Sequence, residues 1–211
     1  MSKKSLLITF EGGEGCGKSY QAKILNRRLA ELALPVILTH EPGGTLLGEK
    51  ITRLLKWDNK QKFTPLTEML LFNASRAHLI DTVIKPALKS GKIVICDRFT
   101  DSTIVYQGYA RGLDTKLINT MNEAATQGII PDLTILLDLP VEIGLSRKNK
   151  QKSDRFHKES LAFHRRVRNG FLKQAIREPE RWLFVDAGQS RGIIAGIIWE
   201  KVCELLANPP V

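Results

Sequence analysis

The stretch LLITFEGGEGCGKS, residues 6–19, decides the fold of this 211-residue chain. Its apolar start at 6–10 is typical of a buried strand, and GGEGCGKS at 12–19 fits the pattern G-x-x-x-x-G-K-[ST] of the phosphate-binding P-loop. The glycines permit positive φ angles, so successive backbone N–H groups can turn inward around phosphate oxygens. Strand, loop and an amphipathic helix follow one another, and this order predicts a nucleotide phosphate site at the end of the first strand.

The polar side chains of the loop extend this prediction. Lys18 adds a positive charge, and we expect it to face solvent until a phosphate arrives. The Ser19 hydroxyl is placed to bind Mg²⁺, and Glu14 would repel phosphate unless it met that metal or the sugar of an acceptor. The residues predicted to bind ATP are Gly12, Gly13, Glu14, Gly15, Cys16, Gly17, Lys18 and Ser19.

Outward from the loop, short apolar runs alternate with helical patterns. Strands are predicted at 6–10, 36–39, 92–96, 133–139 and 182–185. Helices are predicted at 18–33, after the turn at 41–45, from Pro65 to a kink or end at Pro86, and at 102–109, 114–127, 141–147, 156–175 and 193–206. This alternation predicts an α/β doubly wound fold, a five-stranded parallel sheet flanked by helices, with residues 1–211 as one domain.

Composition and charge set wider limits. A chain that is 43% hydrophobic can bury a full core, while its apolar runs are too short to span a membrane and its start is unlike a signal peptide. Three cysteines at unrelated spacings give neither a disulfide framework nor a zinc pattern, which favours the reducing cytoplasm. The net charge of +10 suits nucleotides or nucleic acid as partners, or a solvated basic surface.

A second set of charged residues follows the third predicted strand. Asp97 and Arg98 should lie at the carboxyl end of that strand, where ligands bind in open parallel sheets. Arg98 would hold the phosphate of an acceptor, and Asp97 would join Ser19 at the metal through water. The basic segment 148–153 lacks apolar periodicity and predicts a mobile lid at about 147–157.

The lid also bears on catalysis. The P-loop contains no arginine, so another segment has to stabilise the charge on the transferred γ-phosphoryl group. Arg155 is the predicted source of this cation, with Arg147 as the reserve candidate.

The pattern from Pro65 onwards predicts a base-reading face. Phe72 and Arg76 are four residues apart on a helix, so both side chains leave the same face. The ring could stack on a pyrimidine, and the guanidinium could donate to a carbonyl at position 4, which separates thymine from cytosine.

Other nucleotide-binding classes fit less well. The Asn-Lys pairs at 59–60 and 149–150 lack the Asp of a guanine-reading N-K-x-D motif, which disfavours a switch GTPase. A small phosphotransferase is favoured, and another nucleoside monophosphate or deoxynucleoside kinase is the alternative. An ATP-dependent nucleic-acid-binding protein would suit the charge, but interleaved aromatic and basic residues are lacking.

Several motifs in this order resemble bacterial thymidylate kinases over nearly the whole chain. They are FEG at 10–12, EPGGT at 41–45, LFNASR at 71–76, DRF at 97–99, YQG at 106–108, RG at 111–112 and PDLT at 131–134. The resemblance implies a P-loop nucleoside monophosphate kinase fold, a homodimer, and transfer of phosphate from ATP with Mg²⁺ to dTMP, giving dTDP for dTTP synthesis. It places Thr103 and Gln107 near the base and Tyr106 near the sugar 2′ position.

The residue patterns and the resemblance together give the full set of expected site residues. Catalytic roles are expected for Lys18, Arg98, Arg155, Asp97 and Glu14, and metal binding for Ser19 and Asp97. Substrate binding is expected for Phe72, Arg76, Arg98, Ser102, Thr103, Tyr106, Gln107, Glu11, Pro42 and Arg53. The chain departs from the family pattern where Thr52 replaces an acceptor-phosphate arginine that is shifted to Arg53, and also at His40, Phe99, His157 and Tyr20.

Overall fold

The computed structural model describes residues 5–57, 62–147 and 154–207. Within these ranges, five parallel strands form one sheet in the order β2-β3-β1-β4-β5. The strands are β1 Leu6–Glu11, β2 Val36–His40, β3 Ile93–Asp97, β4 Leu133–Asp138 and β5 Trp182–Asp186. Each begins within one residue of its predicted start, and the predicted α/β fold class is confirmed.

Helices connect the strands. They are α1 Lys18–Glu31, α2 Leu46–Trp57, α3 Pro65–Leu79, α4 Lys85–Lys89, α5 Thr100–Thr103, α6 Thr115–Thr126, α7 Val141–Ser146, α8 Leu161–Arg177 and α9 Arg191–Ala207. Two segments are π-helical. Ile80–Ile84 joins α3 to α4, and Ile104–Ala110 follows α5 directly. Pro86 therefore does not end the helix. A wider π turn precedes it, and the backbone N–H that proline lacks would lie in the first turn of α4.

Local capping sets the helix starts. The Thr64 hydroxyl accepts from Thr67 N at 3.2 Å, with Pro65 as the first helical residue. The Ser160 hydroxyl accepts from Phe163 N at 3.2 Å, so α8 begins at Leu161. The prediction that this helix includes Phe156 is wrong for that reason, since the ring lies in a turn before the cap.

The core explains why the P-loop lies at the centre of the sheet. Every residue of β1 is buried, and its side chains alternate between the two faces of the sheet. Leu6, Ile8 and Phe10 join the core cluster that contains α1 and α9, whereas Leu7 packs with Ile80 in a separate cluster. The loop that leaves β1 therefore follows a fully buried strand at the centre of the sheet.

Among the described helices, none combines the length and the apolar character needed to cross a bilayer. The assignment of residues 1–211 to one domain stays a prediction. Of the predicted lid, Arg147 and residues 154–157 are described, and residues 148–153 lie outside the described residues.

Candidate functional site

The P-loop leads into α1 in a way that leaves the helix end open to an anion. Gly17 precedes α1 in a left-handed conformation, the cap has no side-chain hydrogen bond, and the first turn carries no acidic residue. The first N–H groups of a helix have no partner within the helix and carry its positive dipole end. These groups can therefore bind phosphate oxygens.

The loop rests directly on the backbone of α7. Gly15 has φ 68°, and a Cβ at this position would lie 2.0 Å from the carbonyl oxygen of Gly144. In the other direction, a Cβ at Gly144 would lie 2.2 Å from the carbonyl oxygen of Glu14. Both positions therefore require glycine, and the conformation of the loop depends on the helix that leads to Arg147.

Lys18 is folded back on the loop. Its Nζ donates to the carbonyl oxygens of Gly13 at 2.7 Å and Gly12 at 3.1 Å, and its exposed fraction is 8%. The prediction that this side chain faces solvent before phosphate arrives is therefore wrong. Loop carbonyls accept from the ammonium group, and they hold its charge inside the loop.

Ser19 and Asp97 meet at the carboxyl edge of the sheet. The Ser19 hydroxyl donates to Asp97 Oδ2, which brings the first turn of α1 to the end of β3. A hydroxyl and a carboxylate are oxygen ligands of the kind that Mg²⁺ prefers. No cluster of three or more His, Cys, Asp or Glu ligands occurs among the described residues, so a metal here would need further oxygen ligands from a phosphate or water.

Two joined clefts open at this edge. The P-loop cleft, about 1780 Å³, is lined by residues 14–19, one face of α2 and the segment after β5. The second cleft, about 460 Å³, is lined by α3 and by residues between 98 and 107. Among the described residues, those that line both clefts are Glu14, Glu41, Pro42, Lys56, Arg98 and Asp154. We call these six residues the junction.

Arg98 is the centre of the junction. Its backbone has φ 72°, a left-handed conformation that is uncommon for residues with a side chain, and its N–H donates to Phe10 O at 2.9 Å. The guanidinium donates to Ser102 Oγ at 3.0 Å, Glu14 Oε1 at 3.1 Å and the Tyr106 hydroxyl at 3.2 Å. Burial would lower the pKa of Arg98, but the neighbouring Tyr106 and Glu14 raise it above its usual range. Arg98 is therefore a fixed, permanently charged group.

Glu11 holds the segment that carries Arg98. Glu11 Oε1 accepts from Phe99 N at 2.8 Å and Ser102 N at 3.1 Å, while Oε2 accepts from Ser102 Oγ at 2.6 Å. Burial and the nearby Asp101 raise the pKa of Glu11 to about 7, against the opposing effect of Arg98. Glu11 reaches the site through its hydrogen bonds to Ser102, and it lines neither cleft.

Arg76 lies in a buried hydrogen-bond network under the second cleft. Its Nε donates to Glu41 Oε2 at 2.8 Å, and its side chain is 2% exposed. The remaining N–H groups have acceptors on Asn73 at 3.3 Å, Asn122 at 2.7 Å, Phe99 at 3.1 Å and Thr103 at 3.0 Å. Burial raises the pKa of Glu41 despite this partner. The proposed donation from Arg76 to a base stays a prediction, because each of its donors already has a protein acceptor.

Phe72 forms an aromatic wall of the second cleft. Its ring lies 5.8 Å from that of Phe156, and both line the cleft. Gln107 lies on the same cleft and donates to Glu68 Oε1 at 2.6 Å. Thr103 and Tyr106 line it as well, so the residues expected around a base come together.

Three predicted cations differ in where they lie. Arg147 lines the P-loop cleft and donates to Ala187 O at 3.4 Å. Arg155 lines neither cleft, and its Nη2 donates to Glu68 Oε2 at 2.7 Å. Arg53 is exposed and likewise lines neither cleft.

Sequence reasoning missed Glu68, Lys56 and Asp154. Glu68 is 1% exposed and accepts from Gln107, Arg111 and Arg155, so it joins α3 to the end of the lid. Its spacing of four residues from Phe72 could have indicated that it shares the cleft-facing side of α3. Lys56 is four residues from Thr52, so the same spacing on α2 could have indicated that these two side chains share one face.

Comparisons with known proteins agree with this geometry. A family model described as Thymidylate kinase matches residues 10–195. The thymidylate kinase of Dehalococcoides mccartyi strain CBDB1 is 56% identical over 202 residues, covering 96% of this chain and 97% of that protein. That of Geotalea uraniireducens strain Rf4 is 48% identical over 189 residues, covering 86% and 89%. The crystal structure of thymidylate kinase from Ehrlichia chaffeensis superposes with a TM-score of 0.78 at 35% identity, covering 95% of this chain and 99% of that one.

Proposed function

Because the chain belongs to the thymidylate kinase family, we propose that its P-loop cleft binds ATP and its second cleft binds dTMP. The chain is a dTMP kinase, which forms dTDP and ADP in a step of dTTP synthesis. The observation that carries the assignment of the two clefts is the junction, since a phosphoryl group can pass between two nucleotides only where their sites meet.

The P-loop cleft would hold the phosphates of ATP through the loop amides and the first turn of α1. Lys18 would exchange its loop carbonyls for β- and γ-phosphate oxygens. Ser19 and Asp97 are the residues that would hold Mg²⁺, directly or through water, and this oxygen pair fits the ion. When bound, the ion supplies positive charge to the β- and γ-phosphates.

Chemistry in the second cleft needs positioning more than proton transfer. The second pKa of a phosphate monoester is near ~6, so the attacking oxygen of dTMP is mostly ionised at neutral pH. Arg98 would hold this phosphate, and its ion pair with Glu14 and contact with Tyr106 fix its orientation. Neither carboxylate, Glu14 nor Asp97, is needed as a strong base.

The base would lie between Phe72 and the segment that carries Thr103 and Gln107. The Phe72 ring offers a stacking surface, and Phe156 closes the same wall. Tyr106 lies at the junction end of the cleft, where its ring would crowd a ribose 2′ hydroxyl. Arg76 would read position 4 of the base if one of its protein acceptors gave way to the ligand.

We further propose a homodimer in the cytoplasm, with the chain folded as one domain. Leu66 and Leu70 on α3 and Leu117 on α6 are exposed, and these two helices pack together. We propose that the three leucines pack against a second copy of the chain. The cysteines at 16, 96 and 203 are unpaired, and a reducing compartment would keep them so. Light scattering on the eluted protein would give twice the chain mass for a dimer, and Leu70→Lys should lower it to one chain mass.

An acceptor panel tests the proposed function. Each natural nucleoside monophosphate is offered with ATP and Mg²⁺, and ADP release is measured. We expect the highest kcat/KM with dTMP. A higher value with dCMP, dGMP or AMP would assign the second cleft to another acceptor.

A further inference from the structure

The junction contains more negative than positive side chains. Its carboxylates belong to Glu14, Glu41 and Asp154, and its cations to Arg98 and Lys56. Glu14 accepts from Arg98 at 3.1 Å, so the charge of this arginine is already largely balanced. A phosphate dianion that enters the junction therefore needs a second cation there.

Helix α2 presents one face to the clefts. Thr52 and Lys56 are one turn apart on this face and both line the P-loop cleft, while Lys56 also lines the second cleft. Thr52 donates its hydroxyl to Gly48 O at 2.8 Å and carries no charge. Arg53, the next residue, is exposed on another side of the helix. Among the described residues of α2, the cation that reaches the junction is thus Lys56.

We infer that Lys56 binds the phosphate of the acceptor nucleotide and is a substrate-binding residue of this kinase. The inference rests on the proposed function of the second cleft and names a contact within it. Lys56 and Arg98 would approach the phosphate from α2 and from the end of β3, so the dianion would lie between two cations.

The backbone of Lys56 is hydrogen-bonded to the lid. Its carbonyl oxygen accepts from the N–H of Arg155 at 3.1 Å, so the carboxyl end of α2 is joined to the end of the lid. The residue proposed to bind the acceptor phosphate is therefore also hydrogen-bonded to the end of the lid.

The test compares a ligand that has the phosphate with one that lacks it. Lys56→Met keeps the length of the side chain and removes its charge, and calorimetry measures its affinity for dTMP and for thymidine. We expect the Kd for dTMP to rise about ten- to a hundredfold, the range for a lost hydrogen bond to a charged group, and the Kd for thymidine to change less than about twofold. Lys56→Arg should restore dTMP binding to within about threefold of wild type.

Lys50→Met is the matched control, because Lys50 lies on the exposed side of α2 and lines neither cleft. It should leave both affinities unchanged. An unchanged Kd for dTMP in folded Lys56→Met would overturn the inference, as would equal weakening of dTMP and thymidine, which indicates a structural role. If wild type bound dTMP no better than the other monophosphates, the proposed acceptor would be wrong. The comparison of dTMP with thymidine would still show whether Lys56 binds a phosphate.

Discussion

In the P-loop cleft the groups that face a phosphate belong mostly to the backbone, whereas in the second cleft they are side chains with buried partners. The loop offers amides, an uncapped helix end and a lysine held by its own carbonyls. The second cleft rests on Arg76, Glu41 and Glu11, each of which is nearly inaccessible. We therefore expect the P-loop cleft to lose the charge of Lys18 without unfolding, and the second cleft to need the ion pair of Arg76 with Glu41 to stay folded.

The largest expected effect is a loss of stability when the buried ion pair beneath the second cleft is removed. Arg76→Met would leave Glu41 buried without its cation, and the free energy of unfolding should fall by about 3–5 kcal/mol. Urea denaturation measures the change. Adding Glu41→Gln should recover part of the loss, because no unpaired charge then remains. A loss below about 1 kcal/mol in the single variant would show that the network does not support the fold.

Lys18→Met should break function and not folding. The ammonium group would stabilise charge that develops in the transition state, so kcat should fall about 10²- to 10³-fold. Urea denaturation should give a stability within about 1 kcal/mol of wild type, because solvent or the vacated loop can satisfy the carbonyls of Gly12 and Gly13. Activity within tenfold of wild type would contradict the assignment of the P-loop.

Glu11 should make the stability of the protein depend on pH. Its pKa is about 7 in the folded protein against an ordinary value of 4.5, so the folded state binds more protons between these values. The stability that it contributes is fully present below pH 4.5 and is lost as pH rises through about 7. The difference amounts to about 3 kcal/mol. Denaturation of wild type and Glu11→Gln across this range measures it, and parallel curves would contradict the raised pKa.

A smaller effect is expected from Phe72, which gives the second cleft a stacking surface. Phe72→Ala should weaken dTMP binding by about 1–3 kcal/mol and leave ATP affinity nearly unchanged. Calorimetry with each nucleotide measures both values. Phe72→Leu serves as the control that keeps most of the apolar volume of the wall but removes the ring. Equal weakening of ATP and dTMP would show that the ring supports the whole fold and not the second cleft alone.

The smallest expected effect separates the two lid arginines. Arg147 already lines the P-loop cleft, whereas Arg155 would first have to leave Glu68. Arg147→Ala should therefore lower kcat about tenfold more than Arg155→Ala does, with ATP affinity similar in both. Steady-state kinetics decides between them. A larger loss in Arg155→Ala would mean that closure breaks the ion pair with Glu68 and returns the role to Arg155.

Much of the backbone could be predicted because it depends on local patterns. Neighbouring residues alone predict the β-branched strand before Asp97, the helix caps at Thr64 and Asp114, and the P-loop. The position of Asp97 and Arg98 at the carboxyl edge followed from the parallel sheet.

The partners of side chains could not be predicted in the same way. Arg76 was correctly placed on the face of Phe72, yet its acceptors come from residues 41, 99, 103 and 122, which no spacing connects to it. Lys56 resembles any solvated lysine of an amphipathic helix until the fold places it at the junction. The π turn at 104–110 packs against α8, a contact that no local spacing predicts.

The contact between Gly15 and Gly144 has a consequence for reading natural variation. Gly144 has no side chain that could touch a nucleotide, and its helix would ordinarily be classed as scaffold. Because any Cβ there would meet the carbonyl of Glu14, a missense allele at this codon should behave in a genetic screen like a lesion of the P-loop itself. Pathogenicity or resistance maps that weight residues by distance from ligand would rank position 144 too low.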